Sequence, residues 1–111
     1  MFGLFKSLVK NDAFENLDPK DFLAKSATMP DAVLLDVRTP GEFASGTLDN
    51  AMNLDYFGPK FSEQVAKLDK SKAYFVFCRS GQRSANACRT MHGLGFGQLY
   101  NMAGGVIALD R

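Results

Sequence analysis

Five consecutive apolar residues, Ala73-Tyr74-Phe75-Val76-Phe77, run directly into Cys78-Arg79-Ser80-Gly81-Gln82-Arg83-Ser84, and a helical pattern follows. So short an apolar run predicts a buried strand rather than a helix. The chain must therefore pass from a strand, through a glycine-containing loop headed by a thiol, into a helix N-terminus. Such a loop aims several backbone N–H groups at one spot, and the helix dipole adds positive potential there. A thiol in that position ionises easily and sits beside a ready anion site. The expected chemistry is that of a cysteine acting on an anionic substrate.

The same reading extends along the chain. Asp18 as N-cap, Pro19 at the first helical position and Asp21 in the first turn start a helix that carries Phe22 and Leu23 and stops before Pro30. Residues 32–37 form a second buried strand, a one-turn helix lies around 41–44, and 51–54 form a short strand. Phe61, Val65 and Leu68 recur at helical spacing within 59–68. The helix after the loop runs from about Gln82 to Leu94 and ends at Gly95; 97–102 form another strand, and Gly104-Gly105 opens a last short helix over Val106, Ile107 and Leu109. Strands alternating with helices imply an α/β fold with a mainly parallel central sheet flanked by helices. Ligands bind such sheets at the carboxyl ends of the strands. Asp36 to Arg38, the Cys78 loop, and Ala103 to Gly105 all fall on that edge.

With 111 residues the chain has room for one domain with its own core. A net charge of +1 supplies no field for nucleic acid or an acidic membrane, so neither is an expected partner. The two cysteines stand ten residues apart, outside any CxxC pair, and there is one histidine. That set offers neither a disulfide framework nor zinc ligands, so no zinc site is expected, and reduced thiols suit a cytoplasmic protein. Residues 1–10 lack the long apolar region and cleavage site of a signal peptide. Phe2, Phe5 and Val9 would share one helical face, which predicts an arm over residues 1–13 packing on a domain over 14–111. The oligomeric state is left open.

Around Cys78, Arg79, Arg83 and Arg89 are expected to cluster. Gly81 lets the loop turn tightly, and Arg79 points outward, where it could meet substrate. Ser80 and Ser84 add hydroxyl donors. The planar fork of Arg83 suits loop carbonyls, Asp36 or the anion itself. Asp36 is expected to support loop N–H groups or Arg83, and Arg38 and Glu42, four apart, to pair across the one-turn helix. His92, three turns from the loop, is read as a surface residue, which argues against a Cys-His hydrolase. Cys88 is read as core packing.

These residues resemble the rhodanese family in its single-domain form, over about Phe14 to Leu109. Residues Leu34 to Phe43 look like its D-V-R-x-x-x-E-[FY] block, and Gly46 to Asn53 are similar to G-H-I-x-G-A-x-N. Cys78 to Ser84 look like the C-R-x-G-x-R-S active loop, and Gly95 to Val106 match the closing G-F-x-x-V-Y-N-L-x-G-G block. The resemblance implies a three-layer rhodanese-like fold and a sulfurtransferase without cofactor. Cys78 would take sulfur from a small anionic donor, thiosulfate or a persulfide, and hold it as a persulfide among the loop amides of Arg79 to Ser84. A thiol, cyanide or a protein cysteine would then accept it. Thr47 stands where the family has histidine, Asn50 where it has glycine, and Leu109 in the region of its tryptophan; the first two are expected to tune packing. The alternatives are a persulfide carrier or regulatory module, and a small cysteine-dependent phosphatase or arsenate reductase. Phosphatases of this fold have five residues between cysteine and arginine; here four intervene.

Overall fold

The computed structural model describes residues 7–10 and 13–110. A six-stranded sheet in the order β1-β2-β6-β5-β3-β4 forms its middle layer. The strands are β1 (Ser7–Lys10), β2 (Glu15–Leu17), β3 (Val33–Asp36), β4 (Met52–Asn53), β5 (Ala73–Phe77) and β6 (Gln98–Met102). From β2 to β4 every pairing is parallel, and β1 is added antiparallel at one edge. The helices are α1 (Pro19–Ala27), α2 (Pro40–Ala44), α3 (Phe61–Ala66) and α4 (Gln82–Gly93), and a 3-10 turn spans Val106–Asp110.

Two caps show how locally the chain sets its elements. Asp18 Oδ1 accepts the Asp21 N–H at 2.9 Å and starts α1, as its sequence predicts. Thr39 and Glu42 close a reciprocal capping box around α2, with Pro40 at its first position.

Strand β5 lies between β3 and β6, and all five of its residues are buried. Its two-residue alternation sorts the core. Tyr74, Val76 and then Cys78 face α3 and α4, among Val65, Ala87, Met91 and Phe96. Ala73, Phe75 and Phe77 face the other layer, where Phe22 of α1 meets both phenylalanine rings edge-on. The register Asp36↔Phe77 and Val76↔Asn101 brings the carboxyl ends of β3, β5 and β6 level. The site is assembled on that edge.

Two strands escape the sequence reading. Glu15–Leu17 is only three residues long and gains its structure from pairing with β6. Ser7–Lys10 is a strand, not part of a helix, because it pairs with β2. Phe2 and Phe5 of the expected helical face lie outside the described residues.

Candidate active site

Cys78 follows the last residue of β5 and inherits its alternation, which points the thiol at the start of α4. The Gly81 N–H donates to Sγ at 3.1 Å, and both the Ser84 N–H and the Ser84 hydroxyl lie 3.4 Å from it. The thiol is fully buried. Burial alone would push its pKa up, but the Ser84 hydroxyl and the amides of Ser84, Gly81 and Ser80 outweigh it, and the net shift is downward. Replacing Ser84 by alanine should therefore move the pH midpoint of iodoacetamide alkylation upward; a profile superimposable on the wild type would refute the hydroxyl's part.

The N–H groups face inward because the carbonyls are held elsewhere. Val106 N–H donates to the Cys78 carbonyl at 3.0 Å and Ile107 N–H to the Arg79 carbonyl at 3.1 Å. Gly81 turns the loop with φ +97° and caps α4. Gly105, at φ +68°, lets the closing segment come so near that any Cβ there would strike the Arg79 carbonyl. Asn101 of β6 bonds Asn16 Oδ1 at 2.8 Å and reaches the Gly81 carbonyl at 3.4 Å.

The charged partners differ from those expected. Asp36 does not hold Arg83 or the loop amides. It accepts the Arg38 backbone N–H, Nε and Nη2 at 2.7–3.1 Å, together with the Thr47 hydroxyl at 2.8 Å. Arg38 follows Asp36 by two residues and folds straight back onto it, which removes it from Glu42. Glu42 instead receives both Nη atoms of Arg83, at 2.7 and 3.1 Å, and ties α2 to α4. Arg83 thus neither binds loop carbonyls nor stands free for an anion. Its guanidinium holds the Glu42 carboxyl down to about 2 from an ordinary 4.5. The depressed folded value means that this pair stabilises above about pH 4.5 and is lost as pH falls towards 2. The stability gap between wild type and Glu42→Gln should accordingly shrink over that window in acid unfolding curves; a gap independent of pH would refute the pairing.

The remaining residues are more scattered. Arg79 is exposed, Ser80 presents its amide to Sγ, and Gln82 is exposed at the first position of α4. Arg89 does not join the cluster: it bonds Asn86 and covers the Phe14 ring, because six positions along α4 rotate it away from Arg83. His92 is exposed in the last turn of α4. Cys88 is buried in the core, where desolvation pushes its thiol pKa far up. Thr47 does more than pack, since it completes the shell of Asp36, and Asn50 occupies the left-handed region at φ +65°, open to asparagine as to glycine. Sequence reasoning missed the part of Asn101 and of the Val106 and Ile107 amides. The first stands at the asparagine of the closing block, which was the signal that could have found it; the second lies in backbone groups that no residue type announces. Among the described residues no cluster of His, Cys, Asp or Glu could hold a metal ion.

A mainly parallel α/β sheet with one thiol at the head of a helix, ringed by inward-facing amides, defines a protein class built around a single stabilised sulfur. The chain belongs to the rhodanese-like domain family, whose model matches residues 18–109. It is 32% identical over 95 residues to a sulfurtransferase of Allochromatium vinosum, covering 86% of this chain and 87% of that protein. It is 31% identical over 99 residues to the tRNA uridine(34) hydroxylase of Pelagibacter ubique, where the match covers 88% of this chain and 33% of the relative. A crystal structure of a rhodanese-related protein from Thermoplasma volcanium superposes with TM-score 0.70 at 28% identity, over 84% of this chain and 87% of that one. The three-layer rhodanese-like fold and membership among rhodanese-type sulfurtransferases follow.

Proposed function

We propose that this chain moves a sulfane sulfur through a persulfide on Cys78, taking it from thiosulfate or a related small donor. The Cys78 thiolate attacks the outer sulfur of thiosulfate; the sulfur–sulfur bond of the donor breaks, and sulfite leaves with the electron pair. The product is Cys78–S–S⁻. A thiolate acceptor then attacks the sulfane sulfur, returns the electron pair to Cys78 Sγ and departs as its own persulfide; cyanide would leave as thiocyanate. The carrying observation is the ring of Gly81, Ser84 and Ser80 donors around Sγ, which lets a buried sulfur exist as an anion.

The engagement of both Arg83 Nη atoms by Glu42 speaks against the phosphatase reading, which needs that guanidinium for a tetrahedral oxyanion. Intact mass spectrometry after incubation with thiosulfate tests the reading. The expected result is a gain of one sulfur atom that cyanide or a reductant removes. An unchanged mass, combined with turnover of an aryl phosphate, would overturn it.

A further inference from the structure

Gly81 is the residue on which the donor ring turns. Its N–H meets Cys78 Sγ at 3.1 Å, and its carbonyl opens α4 by accepting the Ala85 N–H at 3.2 Å. Without a side chain, and at φ +97°, its two peptide planes rotate more freely than those of its neighbours in the loop. A swing of the carbonyl would carry the N–H off the sulfur. Gly81 lies against the end of β6, where a Cβ on it would sit 3.1 Å from the Met102 carbonyl oxygen and from the Gly104 amide nitrogen. Asn101, one residue before Met102, reaches the Gly81 carbonyl from there. It pairs in register with Val76, so it shares the face of the sheet that carries the thiol.

The two halves of the Asn101 amide fare differently. Nδ2 donates to the Gly81 carbonyl at 3.4 Å and to Oδ1 of Asn16, its register partner on β2, at 2.8 Å, so each of its protons has an acceptor. Oδ1 is buried and has no hydrogen-bond partner among the described residues. A buried acceptor left unpaired opposes folding, and an aliphatic side chain of similar size beside Val76 would remove that penalty. Stability alone therefore does not account for an asparagine here. The donors on its other half do.

We propose that Asn101, oriented by Asn16, is a positioning residue for the sulfur chemistry: its amide pins the Gly81 carbonyl and so keeps the Gly81 N–H on Cys78 Sγ. Asn16 takes one amide proton and thereby fixes the plane in which the other meets the loop. The brace runs across the neighbouring strands β2 and β6 and acts on the thiol through the Gly81 backbone, touching no reacting atom. It deepens the sulfur-transfer reading, on which only the kinetic arm of its test rests.

The test is the pH profile of iodoacetamide alkylation at Cys78 in the full chain carrying Asn101→Leu, Asn16→Leu or both, with a thermal scan of each. Asn101→Leu should raise the midpoint by about half a pH unit, the worth of one neutral hydrogen bond to the thiolate, while melting within a few degrees of the wild type. Asn16→Leu should raise it by less, and should add nothing on top of Asn101→Leu, because it acts through that residue. Both substitutions leave the ionisable groups near the thiol in place, Arg83 with Glu42, Arg38 with Asp36 and the buried Cys88, so a moved midpoint reads the hydrogen bonds. Below the midpoint, loading by thiosulfate, followed by intact mass, should slow about threefold in Asn101→Leu, as the lost thiolate requires. An unmoved midpoint in Asn101→Leu, whatever its melting temperature, would mean that the amide only packs and would overturn the assignment. Should that variant not fold, Asn16→Leu at the half-buried end decides, and an unmoved midpoint there overturns it equally. Raised midpoints in a protein that takes up no sulfur would instead sink the sulfur-transfer reading and leave the brace standing.

Discussion

Cys78→Ser will abolish sulfur transfer, by more than about a thousandfold, while thermal unfolding shifts by no more than a few degrees. A serine hydroxyl is isosteric enough to keep the Gly81 and Ser84 donors occupied. It stays protonated at neutral pH, however, and cannot hold a second sulfur. The control is Cys88→Ser, which should keep most activity, because that thiol lies in the core and donates only to the Tyr100 carbonyl, at 3.9 Å. Steady-state transfer from thiosulfate to cyanide, with a calorimetric scan of each variant, reads both effects. Wild-type turnover by Cys78→Ser, or equal loss in Cys88→Ser without unfolding, would reassign the sulfur carrier.

Gly105→Ala is expected to be nearly as damaging to activity although it touches no reacting atom. Its φ of +68° costs any other residue about 1 kcal/mol or more. The greater harm is steric. The new Cβ would collide with the Arg79 carbonyl and press on the Ser80 amide, all backbone atoms that cannot rotate aside. Relief requires the closing segment to withdraw, and with it the Val106 and Ile107 amides that hold the loop carbonyls outward. A destabilisation of about 2–4 kcal/mol, together with an upward shift in the pH midpoint of Cys78 alkylation, would mark that withdrawal. A variant with the stability and alkylation profile of the wild type would show that the close approach has no part in shaping the loop.

Much of this was legible from local signals. The apolar run Ala73–Phe77 announced the central strand, Asp18 and Pro19 announced α1, and the order of loop and helix announced the donor ring, since each depends on a few neighbouring residues. What escaped was decided by tertiary neighbours. The chain offers Asp36, Arg38, Glu42 and Arg83 as mutually compatible charges, and only the register of β3 beside β5 selects Asp36–Arg38 and Glu42–Arg83 over the other pairings. Spacing favoured Arg38 with Glu42, but the capping box fixes Glu42 against Thr39 and turns it towards α4. Strands β1 and β2 are too short to show a period, and pairing alone defines them.

The mounting of the thiol on the innermost strand has a practical outcome. Ala73 through Cys78 are all sealed from solvent, and Tyr74 to Val76 pair with a strand on each flank, so loosening at the margins of the molecule leaves the donor ring assembled. Heating should therefore extinguish transfer together with the sheet in one cooperative event, and a gradual decline of turnover below the melting temperature is not expected.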